Sequence, residues 1–182
     1  MKSQTVKRTV LSALLMSAAG FSGTSSAHEA LGSLANNASA IDVYHTSCFS
    51  WAADQDFDGD GIIDEYSGPA ARFVGRINKT AGNNSVKLSI AKIGVAGSGA
   101  SVSDSSNNGN PSAFVARSNG NGDYVFAVSH TNANTNSYLA EIHCERSTTP
   151  AGGAAANGFG AHTGTGVGGN PPVADFTQII NQ

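Results

Sequence analysis

Hydrophobic and polar residues alternate with a period of two along much of the stretch between residues 41 and 145. Val86, Leu88 and Ile90 share one parity, with Lys87 and Ser89 on the other. Comparable runs are Ile41–Phe49, Arg72–Ile77, Tyr124–Ser129 and Tyr138–Cys144, and Phe114–Arg117 is a shorter one. Alternation carried by β-branched and aromatic residues predicts strands with one buried face. Asn/Gly/Ser clusters at 81–85, 105–111, 118–123 and 131–137 separate the runs. Gly and Asn tolerate positive φ there, and Asn side chains imitate backbone hydrogen bonds, so these clusters predict turns. No 12-residue window after residue 27 carries a 3.6-residue apolar stripe. Six or more short strands joined by such turns predict an all-β fold, a jelly-roll-like β-sandwich spanning 41–145.

Parity also orients the last strand. Tyr138, Ala140, Ile142 and Cys144 fall on one face, expected to point inward, and Leu139, Glu141 and His143 on the other. His143 is therefore expected at the surface beside Glu141. The flanks differ in composition. Residues 28–40 are small and polar with two Leu, and read as an N-terminal extension. Residues 146–182 form a tail whose first part, to 173, is Gly-, Ala-, Thr- and Pro-rich. With little apolar surface to offset ordering entropy, both flanks are expected to be flexible. The tail ends in Val173–Ile180, an apolar patch able to add a strand to a sheet edge.

Residues 1–27 carry Lys2, Lys7 and Arg8, then the apolar run Val10–Phe21, then Ser22–Ala27 with Ser25 and Ala27 at the −3 and −1 positions. That order is an export signal, and its apolar run is too short to span a bilayer of roughly 30 Å as a helix. No later stretch is apolar enough to be a transmembrane segment. The mature chain is expected to start at His28 and to be secreted, extracellular or periplasmic. An oxidising compartment pairs its two cysteines, Cys48 and Cys144, into a staple. Beyond the leader, seven Lys/Arg stand against 13 Asp/Glu, a charge that excludes a nucleic-acid partner.

Six of those 13 acids lie in twelve residues, Asp54-Gln-Asp-Phe-Asp-Gly-Asp-Gly-Ile-Ile-Asp-Glu65. Outside them the mature chain is neutral, with seven acids and seven cations. Carboxylates at alternate positions repel one another unless a cation gathers their oxygens, and a Gly-punctuated loop can bring them to about 2.3–2.6 Å from Ca²⁺. The pattern resembles the calcium loops of EF-hand proteins, and still more the thrombospondin type 3 and related bacterial repeats. That resemblance implies Asp56, Asp58, Asp60 and Asp64 as side-chain ligands, the Ile62 carbonyl as a backbone ligand and Ile63 as a buried anchor. A second register begins at Asp54 and closes on Glu65 at its twelfth position. Neither register has the flanking helices of an EF-hand, so the resemblance implies a metal and no further function.

A free N-terminal His28 would offer an amine and a ring nitrogen to one ion. This resembles the histidine brace of copper-dependent polysaccharide monooxygenases and some periplasmic copper carriers, and implies copper as the alternative metal, with His143 as second imidazole. His45, His130 and His162 are further partners of the right chemistry. No Ser-His-Asp ordering, His-Glu-x-x-His helix or phosphate-binding glycine loop is legible, so a non-enzymatic protein is expected. Tyr124–His130 followed by Tyr138-Leu-Ala140 resembles the late strands of bacterial pre-peptidase C-terminal sandwich domains, accessory modules of secreted enzymes. Trp51 and Tyr66 flank the acidic loop, as local core or as platforms for sugar rings. The expected partners are further copies of the chain, joined by strand addition into an oligomer or filament, or a surface glycan or protein.

Overall fold

The computed structural model describes residues 28–57, 59, 61, 63–146, 162–167 and 174–182. The export signal read at 1–27 lies outside these residues. No helix is present among the described residues, and none there is long and apolar enough to cross a membrane. Eight strands form the body: β1 (His28–Leu34), β2 (Ile41–Cys48), β3 (Ala70–Ala81), β4 (Val86–Lys92), β5 (Ala100–Asp104), β6 (Val115–Arg117), β7 (Gly122–His130) and β8 (Asn136–Arg146). Three short ones follow: β9 (His162–Thr163), β10 (Thr165–Gly166) and β11 (Thr177–Ile180).

One sheet runs β1-β8-β3-β6, with β9 also on β8. The other runs β10-β2-β7-β4-β5, with β11 also on β2. All the pairings are antiparallel. An order of β1-β8-β3-β6 against β2-β7-β4-β5 is the strand arrangement of a jelly roll. The chain is a disulfide-stapled, all-β sandwich.

Alternation decides what the sheets bury. Tyr138, Ala140, Ile142 and Cys144 of β8 are fully buried, as their parity predicts, together with Phe73 and Ile77 of β3. Val86, Leu88 and Ile90 of β4 and Tyr124, Phe126 and Val128 of β7 meet them from the other sheet. At Gly75 the sheets come too close for a side chain, since a Cβ there would sit 2.9 Å from Leu88 Cδ2. Cys48 and Cys144 are bonded across the two sheets with Cα atoms 5.5 Å apart. Closing a loop with a separation of 96 residues contributes roughly 4–5 kcal/mol in the chain-entropy model.

The reach of Cys48 toward Cys144 has a consequence for β2. Its inward parity is Asp42, Tyr44, Thr46 and Cys48, leaving Ile41 and Val43 partly exposed. Asp42 is thereby buried, and the Tyr138 hydroxyl donates to its Oδ2 at 2.5 Å. The Tyr44 and Tyr138 hydroxyls lie 2.7 Å apart. Gly32 makes room for this group, because a Cβ there would fall 2.2 Å from the Tyr138 oxygen.

Both flanks read as flexible contribute strands. Residues 28–34 are β1, paired along their full length with β8 from His28↔Ile142 to Leu34↔Asn136. In the tail, β9, β10 and β11 extend the two sheets. Backbone hydrogen bonding with an existing edge supplies what local composition lacks. Residues 147–161 and 168–173 lie outside the described residues.

Candidate functional site

Between β2 and β3 the chain makes a tapering hairpin, with bridges at Trp51↔Gly68 and Gln55↔Glu65. Its carboxylates grip backbone amides. Asp54 Oδ1 accepts from Ser67 N at 2.7 Å, at the hairpin's base. Nearer the tip, Asp56 accepts from Gly59 N at 2.7 Å and Gly61 N at 3.0 Å, and Asp64 accepts from Phe57 N at 2.7 Å. Gly59 and Gly61 have φ of 76° and 85°, the left-handed conformation that lets the chain turn around Asp56. The amide of Ser67 holds the Asp54 carboxyl below the usual range. Asp58, Asp60 and Ile62, read as ligands, lie outside the described residues, and Ile63 is only partly buried.

Glu65 turns away from these acids. It is buried, with Oε1 3.4 Å from His28 Nε2, while His28 Nδ1 lies 2.9 Å from Asp175 Oδ1. One imidazole thus joins the start of β1, the acidic hairpin and the segment entering β11. Burial by itself would lower the His28 pKa. The hydrogen bonds and charges of Asp175 and Glu65 outweigh it and raise the value to about 9. Burial raises the Glu65 carboxyl, opposed by His28, and the His28 contact lowers that of Asp175.

His143 meets this junction too, its ring 5.3 Å from that of His28 at an interplanar angle of 48°. The expectation of a surface His143 is corrected. It has the outward parity of β8, yet it is fully buried, because tertiary packing covers that end of the outer face. The two histidines read as a copper pair are therefore neighbours, although both nitrogens of His28 face carboxylates. Among the described residues no three His, Cys, Asp or Glu side chains converge as ligands of one metal. His45 lies 3.5 Å from Asp123, and His130 Nε2 lies 2.7 Å from the Asn37 carbonyl, so neither faces His28.

The aromatics beside the hairpin are largely local core. Trp51 is buried and meets Phe49 and Phe57 edge-on at 5.3 and 5.9 Å, and the Arg146 guanidinium covers the Tyr66 ring at 4.5 Å. Asp175 is the participant that the sequence pattern did not bring to notice. It lies 110 residues from Glu65 and 147 from His28, and carries no local motif. Its only signal was its place inside the apolar patch that becomes β11.

The fold and junction define a jelly-roll sandwich whose first strand, acidic hairpin and last strand meet at one imidazole. No family model matches the chain, and no curated protein matches it. A family two carbohydrate esterase from Cellvibrio japonicus is structurally similar over 65% of this chain, at 14% identity and a TM-score of 0.28. The alignment covers 31% of that enzyme, and a likeness this distant carries no argument about function.

Proposed function

We propose that this protein is an exported, non-enzymatic calcium-binding module of the cell surface or extracellular matrix, which assembles with further copies of itself by strand addition. The observation that carries the reading is the acidic hairpin. Six carboxylates occupy residues 54–65, and Asp56 and Asp64 are already turned to the amides of its tip. Ca²⁺ suits so many acidic oxygens better than Mg²⁺, which holds its waters. Glu65, which would close the other register, is tied to His28, and this favours the register Asp56, Asp58, Asp60, Ile62 carbonyl, Asp64. The disulfide and the lack of a membrane-spanning helix among the described residues are compatible with export.

Thermal denaturation with Ca²⁺ or EGTA tests the reading. An ion held only by the native state adds about 2.7 kcal/mol at a hundredfold excess over its dissociation constant, a rise of several degrees in melting temperature. The rise should vanish in Asp58→Ala/Asp60→Ala. An identical melting curve in EGTA and in saturating Ca²⁺ would remove the structural calcium site.

The proximity of His28 and His143 favours copper as a second reading. It requires a chain beginning at His28 and release of at least one carboxylate from that ring. Mass spectrometry of the exported protein gives its first residue, and Cu²⁺ titration followed by electron paramagnetic resonance gives the ligands. A first residue other than His28, or an unchanged spectrum in His28→Ala, removes this reading.

A further inference from the structure

The C-terminal segment sits in a slot whose walls come from distant parts of the chain. Phe176 packs edge-on against Tyr44 and Phe126, with ring centroids 5.4 and 5.6 Å away. Asp175 contacts His28 through its carboxylate, and its carbonyl accepts from Thr46 Oγ1 at 2.7 Å. Beyond it, β11 pairs with β2 at Thr177↔His45, Gln178↔Tyr44 and Ile180↔Val43. At the far end Gln182 N donates to the buried Asp42 at 3.0 Å, and its carbonyl accepts from Ala35 N at 3.2 Å. The slot thus selects an acid, an aromatic plug and an extended strand, in that order.

The grip on the strand itself is slight. All four residues of β11 are exposed, Ile179 at 56%, and its register breaks between Gln178 and Ile180. So short a ladder with little buried surface belongs to the least stable part of a structure and opens first. Opening leaves a complementary pair: a β2 edge with Tyr44 and Phe126 uncovered, and a strand ending in two isoleucines. Every contact just named can be remade with a strand from elsewhere. Six residues separate Val167 from Ala174, and a segment of that length reaches up to about 20 Å when extended.

We infer that the slot between β1 and β2 is a strand-acceptor site, and that in the assembled protein residues 174–182 of a second copy occupy it. Each copy then contributes Asp175 and Phe176 to its neighbour, meeting the neighbour's His28, Tyr44 and Phe126. Reciprocal exchange closes a dimer, and onward exchange builds a filament. This rests on the self-assembly part of the proposed function and names the surface and the partner.

Full-length His45→Cys and Thr177→Cys chains, one of them isotopically labelled, test the exchange when mixed and mildly oxidised. These positions are register partners, so strand exchange gives a 45–177 disulfide joining labelled and unlabelled peptides in clear excess over the 45–45 and 177–177 bridges that chance collision forms. The yield should rise with protein concentration and become substantial near about 1 mM, the effective concentration that a short linker gives the intramolecular strand. The His45→Cys/Thr177→Cys double variant, which bridges within one chain, checks that the pair can bond. Bridging in the double variant with no such excess of the mixed-label bridge at any concentration overturns the inference. If light scattering then still finds oligomers, self-assembly stands and uses another surface. If it finds monomers only, both fall, and the calcium reading is untouched.

Discussion

Raising the pH from 6.5 to 9.5 should destabilise this protein through one residue. His28 has a pKa of about 9 in the folded chain against 6.5 for an ordinary imidazole, because Asp175 and Glu65 hold its charged form against the penalty of burial. A folded-state value above the unfolded one contributes stability that is fully present below pH 6.5 and is lost as pH rises through 9. The size of the rise sets that contribution at about 3 kcal/mol. With 17% of the side chain exposed, solvent screening is modest. For a domain of this size about 3 kcal/mol corresponds to a fall of roughly 6–12 °C in melting temperature. The assay is circular dichroism melting at fixed ionic strength across the window. Both cysteines are bonded to each other, so no free thiol is available to exchange at alkaline pH. His28→Gln keeps a polar side chain but cannot be protonated. It should melt lower than the parent at pH 6.5 and lose most of the slope. Equal falls in the parent and in His28→Gln would refute the reasoning.

Gly32→Ala would place a methyl group 2.2 Å from the Tyr138 hydroxyl, inside the buried Tyr44–Tyr138–Asp42 group. Overpacking and loss of the Tyr138–Asp42 hydrogen bond should together cost about 2–4 kcal/mol in chemical denaturation, whereas an exposed Gly99→Ala should change little. Cys48→Ala/Cys144→Ala should lose roughly 4 kcal/mol, measured as a lower denaturant midpoint, and a reductant should then have no further effect on that variant.

Legibility in the sequence followed the range of the interaction responsible. Six of the eight body strands, all but β1 and β5, the inward parity of Tyr138, Ala140, Ile142 and Cys144, and the sandwich itself were readable from alternation, a property of adjacent residues. The Cys48–Cys144 staple was readable because a chain with two cysteines has one possible pairing. The density of acids in 54–65 was equally plain, whereas His28 and His143 were paired only through the resemblance to a histidine brace, with His45, His130 and His162 as further candidates. The burial of His143 was not, because parity reports the side of a sheet and not what covers it. Nor was the strand character of β1, β9 and β10, whose composition is too poor in apolar side chains to announce it; only the terminal patch at Val173–Ile180 read as a strand for a sheet edge.

The sequence by itself determined the alternating strands, the turns between them, the cysteine pair and the acidic hairpin, each a matter of neighbouring residues or simple counting. Only the tertiary structure decided that β2 turns Asp42 inward, that Glu65 leaves its fellow acids for His28, and that Asp175 arrives from the other end of the chain. Those arrangements depend on which sheet edges lie side by side, and that follows from the packing of the whole core.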